Sequence, residues 1–178
     1  MSRLGRKPIK IPAGVEVKFR DSSIQVKGKL GTLEYRFPAG VSGAIEGEIL
    51  RLKGDVSTPA ARAQYGLARA TVNNLVAGVN TGFTRVLELS GPGYKAAASG
   101  SMLTLVLGYS NPVEFKLDKS IQVTIKGNQI TLTGMDKAKV GEAASEIRHL
   151  REVEPYKERG IKYAGEKVRR KVSKAAKV

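Results

Sequence analysis

The chain reads as an α+β protein of two structurally related domains, each a mostly antiparallel sheet with one packed helix, carrying basic extensions at both ends. Three observations predict this. Short apolar–polar alternations of period two, punctuated by glycines, recur along most of its 178 residues. Each run of them is followed by one segment of helical period, the pattern of a helix laid on a sheet. Finally, residues 26–54 realign with 106–134 without a gap when shifted by 80. Seven of those 29 positions are identical: Val26/Val106, Gly28/Gly108, Glu34/Glu114, Ile45/Ile125, Gly47/Gly127, Leu52/Leu132 and Gly54/Gly134. Pairs such as Leu33/Val113, Tyr35/Phe115 and Val41/Ile121 keep the alternation as well. The domains are expected at 1–81 and 82–178, the second ending in a tail over 154–178.

In the first copy Val15–Val17–Phe19, Ile24–Val26, Leu33–Tyr35–Phe37 and Leu50–Leu52 alternate as half-buried strands. Glycines at 28, 31, 40, 43, 47 and 54 mark the turns. Thr58 then suits an N-cap, Pro59 the first helical position and Gly78 a helix end. Tyr65, Ala68, Val72 and Leu75 share one face of that helix. The second copy predicts strands near 84–89, 94–98, 102–107, 112–117, 121–126 and 129–133. Asp136 caps a helix with the stripe Val140, Ala143, Ala144, Ile147 and Leu150, which ends before Pro155. Domains of about 80 residues are marginal alone, so each is expected to lean on the other or on a partner.

Charge indicates the partner. The net charge is +15, and it sits at the ends. Residues 1–20 hold six cations against Glu16. Residues 157–178 hold nine against Glu158 and Glu166. Basic arms on a near-neutral body are the electrostatic footprint of a nucleic-acid binder. A membrane surface is the rival. Residues 166–176 suit a basic helix with Val168 and Val172 one turn apart, but that face has no Leu, Phe or Trp to insert. No apolar run approaches a bilayer span, and the opening MSRLGRKPIKIP has no apolar core of a secretory signal. The absence of cysteine excludes disulfides and thiolate metal sites and fits a cytosolic protein.

The tail EPYKERGIKYAGEKVRRKVSK is more than a solvated basic run. Pro155 commits the chain to extended structure after the helix. Gly160 permits close backbone approach or a positive φ. Lys157, Arg159 and Lys162 form one basic cluster, and Lys167, Arg169, Arg170 and Lys171 a second, followed by Lys174. Tyr156 and Tyr163 stand beside them and suit stacking on a base or ribose. Arg–Arg–Lys supplies bidentate and point-charge contacts to phosphate.

The spacing EPYKxxGIxYxxExxRRKxxK resembles the signature of the large-subunit ribosomal protein L-six family, and the opening SRLGRKPIxIPxGV and the later GPGYKA resemble its bacterial members. The resemblance covers essentially the whole chain. It implies two related α+β domains that bind large-subunit ribosomal RNA mainly through the C-terminal domain and tail. It also implies one copy per ribosome in the cytoplasm, beside neighbouring ribosomal proteins and near where translational GTPases dock, with a part in late subunit assembly. Carried over, the RNA contacts are Tyr156, Lys157, Gly160, Lys162, Tyr163, Lys167, Arg169, Arg170 and Lys171; Arg159 and Lys174 join them by charge. Arg3, Arg6, Lys7 and Lys10 are a possible secondary contact. Two positions depart from the family pattern, Glu158 and Ser173, where glycine is common. The Glu158 carboxylate is expected to point away from RNA or pair with a nearby Lys or Arg.

Other constellations point away from catalysis. Gly91–Pro92–Gly93–Tyr94–Lys95 lacks the GxxxxGK[ST] pattern of a phosphate loop and reads as the opening turn of the second domain. His149 follows Ser145 by one helical turn, but the pair lacks an orienting acid. Glu46 and Glu48 alone make no acid–base site. No cofactor, metal or enzymatic role is expected. The alternative function is a free-standing RNA chaperone or regulator built on the same domains.

Overall fold

The structure, a computed structural model, describes residues 7–20, 22–54 and 56–171. The chain divides into two units, Met1–Gly82 and Phe83–Val178. Each is α+β, and among the described residues the strands pair antiparallel, with one isolated parallel bridge between Glu152 and Ile161.

In the first unit, β1 (Ile9–Lys10), β6 (Ile49–Gly54) and β5 (Val41–Glu46) form one sheet in that order. A second sheet orders β2 (Glu16–Arg20), β3 (Ser23–Lys27) and β4 (Thr32–Arg36). Helix α1 (Pro59–Asn80) packs on β3, β4, β5 and β6. Thr58 Oγ1 accepts from the Ala61 N–H at 3.2 Å, so the predicted cap forms. The helix does not end at Gly78. That residue is buried within it, and the turn is closed by Gly82 at φ +74°, whose N–H donates to Gly78 O at 3.0 Å. The apolar stripe accordingly runs Tyr65, Ala68, Val72, Val76 and Val79, against Ile24, Val26, Leu50 and Leu52. Tyr65 satisfies its hydroxyl by donating to Leu52 O at 2.9 Å.

The second unit orders β11 (Ile121–Lys126), β12 (Gln129–Gly134), β7 (Phe83–Ser90) and β13 (Gly160–Tyr163) in a four-stranded sheet. Its companion sheet orders β10 (Val113–Lys116), β9 (Met102–Val106) and β8 (Lys95–Ser99). The Gly91–Lys95 segment therefore joins β7 to β8 and does not open the domain. Helix α2 (Lys137–Leu150) packs on β7, β12 and β13. Asp136 caps it by accepting from the Ala138 N–H at 2.8 Å. Val140, Ala143, Ala144 and Ile147 are its buried face, as the periodicity predicts, and Leu150 is only partly buried.

The duplication is real, but its register is not uniform. Val26 opposes Leu33 and is fully buried. In the second unit Leu105, not Val106, opposes Val113 and is fully buried. Val106 is 38% exposed. The ungapped shift of 80 thus holds from β4 onward and slips by one residue in β3 and β9, where one extra residue enters the second copy's connection. A slip of one turns a side chain to the other face of a strand, so the identity Val26/Val106 is coincidental. By the same register Gly28 corresponds to buried Leu107 rather than to Gly108. The last turn of α1 explains this pair. A Cβ on Gly28 would lie 2.6 Å from Val79 O, whereas the shorter α2 leaves room that Leu107 fills.

Candidate nucleic-acid interface

From Arg151 to Lys171 the chain folds back on the second unit instead of trailing from it. Pro155–Lys157 makes a turn, not the expected extended run, closed by the Glu158 N–H donating to Glu154 O at 3.0 Å. The Glu154 N–H donates in turn to Arg159 O at 2.9 Å. Extension begins only at Gly160. This glycine is buried at φ +145°, and a Cβ there would sit 2.6 Å from Glu152 O. Close approach and unusual φ are therefore both required at this position. It lets β13 join the edge of β7, from Gly160 opposite Ser90 to Tyr163 opposite Leu87. Ile161, fully buried, nails the strand into the core.

Glu166 holds the next turn. Its Oε1 accepts from Arg148 Nη2 at 2.7 Å, and its Oε2 accepts from Arg148 Nε at 3.3 Å and from the Tyr163 N–H at 3.0 Å. The Arg148 guanidinium, with help from that N–H, holds the Glu166 carboxyl below its usual range, and Glu166 raises Arg148 in return. Beyond this point the Lys171 N–H donates to Pro155 O at 3.0 Å, so the chain returns to where the tail began. Glu166–Lys171 is not helical, so over the described part of 166–176 the basic helix those residues suit does not form.

This closure brings the two basic clusters side by side. Tyr156, Lys157, Arg159, Lys167, Arg169, Arg170 and Lys171 are exposed. Among the described residues no carboxylate lies within ion-pair distance of Lys157, Arg159, Lys167, Arg169 or Lys171. Arg170 pairs with Glu158 at 2.7 Å, the second of the two outcomes expected for that carboxylate. Lys162 is partly buried and lies 3.8 Å from Glu88. Tyr163 packs against the core with Arg148 over its ring, and Gly160 has no exposed surface to offer, so both act on the tail's shape. Lys7 and Lys10 are exposed on the first unit, where Arg69 Nε donates to Lys7 O at 3.3 Å. Arg3, Arg6, Ser173 and Lys174 lie outside the described residues.

Sequence reasoning missed Arg148 and Glu166 as a pair. In the sequence alone Glu166 stands only as a charge set against the tail's cations. The usable signal was the position of Arg148 beside Ile147, on the flank of the buried stripe. The reading of His149 also needs correction, because an acid does face it: Glu152 Oε1 lies 3.4 Å from Nε2. The group is still no catalytic triad. His149 Nδ1 sits 2.7 Å from Ser145 O, a carbonyl that can only accept, so Nδ1 carries its proton and cannot take one from Ser145 Oγ. Among the described residues no cluster could hold a metal, and no helix is long and apolar enough to cross a membrane.

The profile of one family, described as Ribosomal protein L6, matches residues 11–82 and again 90–164, once on each unit. The chain belongs to the ribosomal protein L6 family. Proteins named large ribosomal subunit protein uL6 are similar to it over nearly their whole length. That of Rhodospirillum rubrum is 46% identical over 175 residues, covering 98% of this chain and 99% of the relative. That of Pseudomonas putida is 47% identical over the same shares. That of Solidesulfovibrio magneticus is 42% identical, covering 98% of each. The L6 family is a structural, non-enzymatic one.

Proposed function

We propose that this protein is a structural constituent of the large ribosomal subunit that binds ribosomal RNA through its second unit and tail. The observation that carries the reading is the closed tail. Backbone bonds from Glu154 to Lys171 hold five cations, none in an ion pair among the described residues, and Tyr156 at the surface in a defined conformation. A prepaid conformation lowers the ordering cost of binding. Folded ribosomal RNA has deep, narrow major grooves, so backbone and shape contacts dominate over base reading. The family relationship favours a site near the docking region of translational GTPases, one copy per subunit, neighbouring ribosomal proteins as partners, and a part in assembly. Lys7 and Lys10, with Arg3 and Arg6, are proposed as a secondary contact.

Sucrose-gradient sedimentation of cell extract tests this. Co-migration with large subunits at one copy each, retained through a moderate salt wash, is expected. A mostly free, substoichiometric protein overturns the structural role in favour of a regulator.

A further inference from the structure

We infer that a cleft at the end of α2 receives an unpaired nucleobase of the bound RNA. The inference rests on the RNA-binding reading above and adds a base-recognising subsite outside the tail. The cavity measures about 510 Å³. Three segments build it: the turn after β7 supplies Tyr94, the turn after β9 supplies Tyr109, and the end of α2 supplies His149 and Arg151. Arg159 closes it from the tail. The GPGYK motif and the single histidine, neither of which serves the tail's fold, thus meet at one place.

The charges identify the ligand group. The lining holds Arg151 and Arg159 together with Glu152 and Glu154, so its formal charges cancel, and phosphate is drawn to the tail's cations rather than into the cleft. Glu152 also lies 3.8 Å from Arg148 Nη1 one helical turn before it. Of the two rings, Tyr94 packs against the core and Tyr109 offers the exposed surface. Tyr109 is 46% exposed yet fixed, since its hydroxyl donates to Leu150 O at 2.9 Å and Arg151 lies 5.0 Å from its ring centroid. A ring held this way loses little freedom when a base stacks on it. Aromatic and guanidinium planes are the usual platform for splayed-out bases in single-stranded RNA. Arg159 belongs to both cleft and tail, so a strand whose phosphates follow the tail's cations passes the cleft's mouth.

The test uses the full chain and large-subunit ribosomal RNA transcribed in vitro, titrated by filter binding at several salt concentrations. Y109L is expected to weaken binding about tenfold with an unchanged salt slope, because stacking carries no counterion release. Y109F keeps the ring and loses only the hydroxyl bond, and is expected to bind within about twofold of the native protein. Ultraviolet crosslinking of the native complex should join a base to the Tyr94 or Tyr109 peptide. If Y109L binds normally, or Y109F falls as far as Y109L, the cleft does not read a base. The variant R169A/R170A/K171A in the same titration separates the two ideas. Its weakening keeps the tail reading alive even if the cleft fails, and its indifference removes both.

Discussion

Glu158 Oε1 lies 2.7 Å from Arg170 Nε, and Glu158 is the one non-glycine at positive φ among the described residues, at +54°. A carboxylate thus occupies a guanidinium on the face proposed to bind RNA, from a backbone conformation that disfavours a side chain. Replacing Glu158 by Gly relieves a strain of about 1–2 kcal/mol and removes a surface ion pair worth about 0–1 kcal/mol, so stability should hold or rise slightly. RNA binding should tighten, and the slope of log affinity against log salt should steepen by about 0.9 as Arg170 becomes free for one more phosphate. An unchanged slope in a salt titration would show that Arg170 never reaches the RNA.

Arg169, Arg170 and Lys171 are exposed and contribute nothing to either core. The triple change to Ala should leave the thermal melt within about 1 kcal/mol of native. It should flatten the salt slope of RNA binding by about 2–3 units and weaken binding most at low salt. A full-strength complex in filter binding counts against the tail as anchor.

Glu166 ties the tail to α2 with both oxygens. Because its folded-state value is held below the ordinary one, near 4.3, the stabilisation is present above that ordinary value and fades as pH falls through the lower, folded one. Acid should therefore loosen the second unit, and E166Q should remove that part of the pH dependence while costing about 1–3 kcal/mol at neutral pH. Urea melts at neutral and acidic pH check this. Equal losses on acidification for both proteins would place the linkage elsewhere.

Gly160→Ala puts a methyl 2.6 Å from Glu152 O at a φ closed to other residues. The expected cost is about 2 kcal/mol or more. It should appear as lost amide protection at Ile161 and Tyr163, whose N–H groups bond Arg151 O and Glu166. RNA affinity should fall with it, since the cations lose their frame. Native exchange rates in β13 would show that the strand tolerates the methyl.

Much of the fold was legible because its signals are local. The apolar stripe of α2, the caps Thr58 and Asp136, and the alternation in β4, β6, β11 and β12 each depend on neighbours within a few residues. The end of α1 was misplaced because two glycines stood four apart and only packing chose between them. Val26/Val106 misled for a related reason, since identity along the chain carries no information on which face a strand buries.

Of the interface, the sequence by itself determined the inventory: the basic clusters, the tyrosines, the glycine that must bend, and the family they spell. Only the tertiary structure decided which of these are offered outward. Ile161 buries β13 against the core, Glu166 captures Arg148 across 18 residues, and Lys171 closes onto Pro155. Each of those bonds joins residues distant in sequence, and their energy exists only once the chain has folded and excluded water between them. Charge is a property of composition, whereas its presentation is a property of packing.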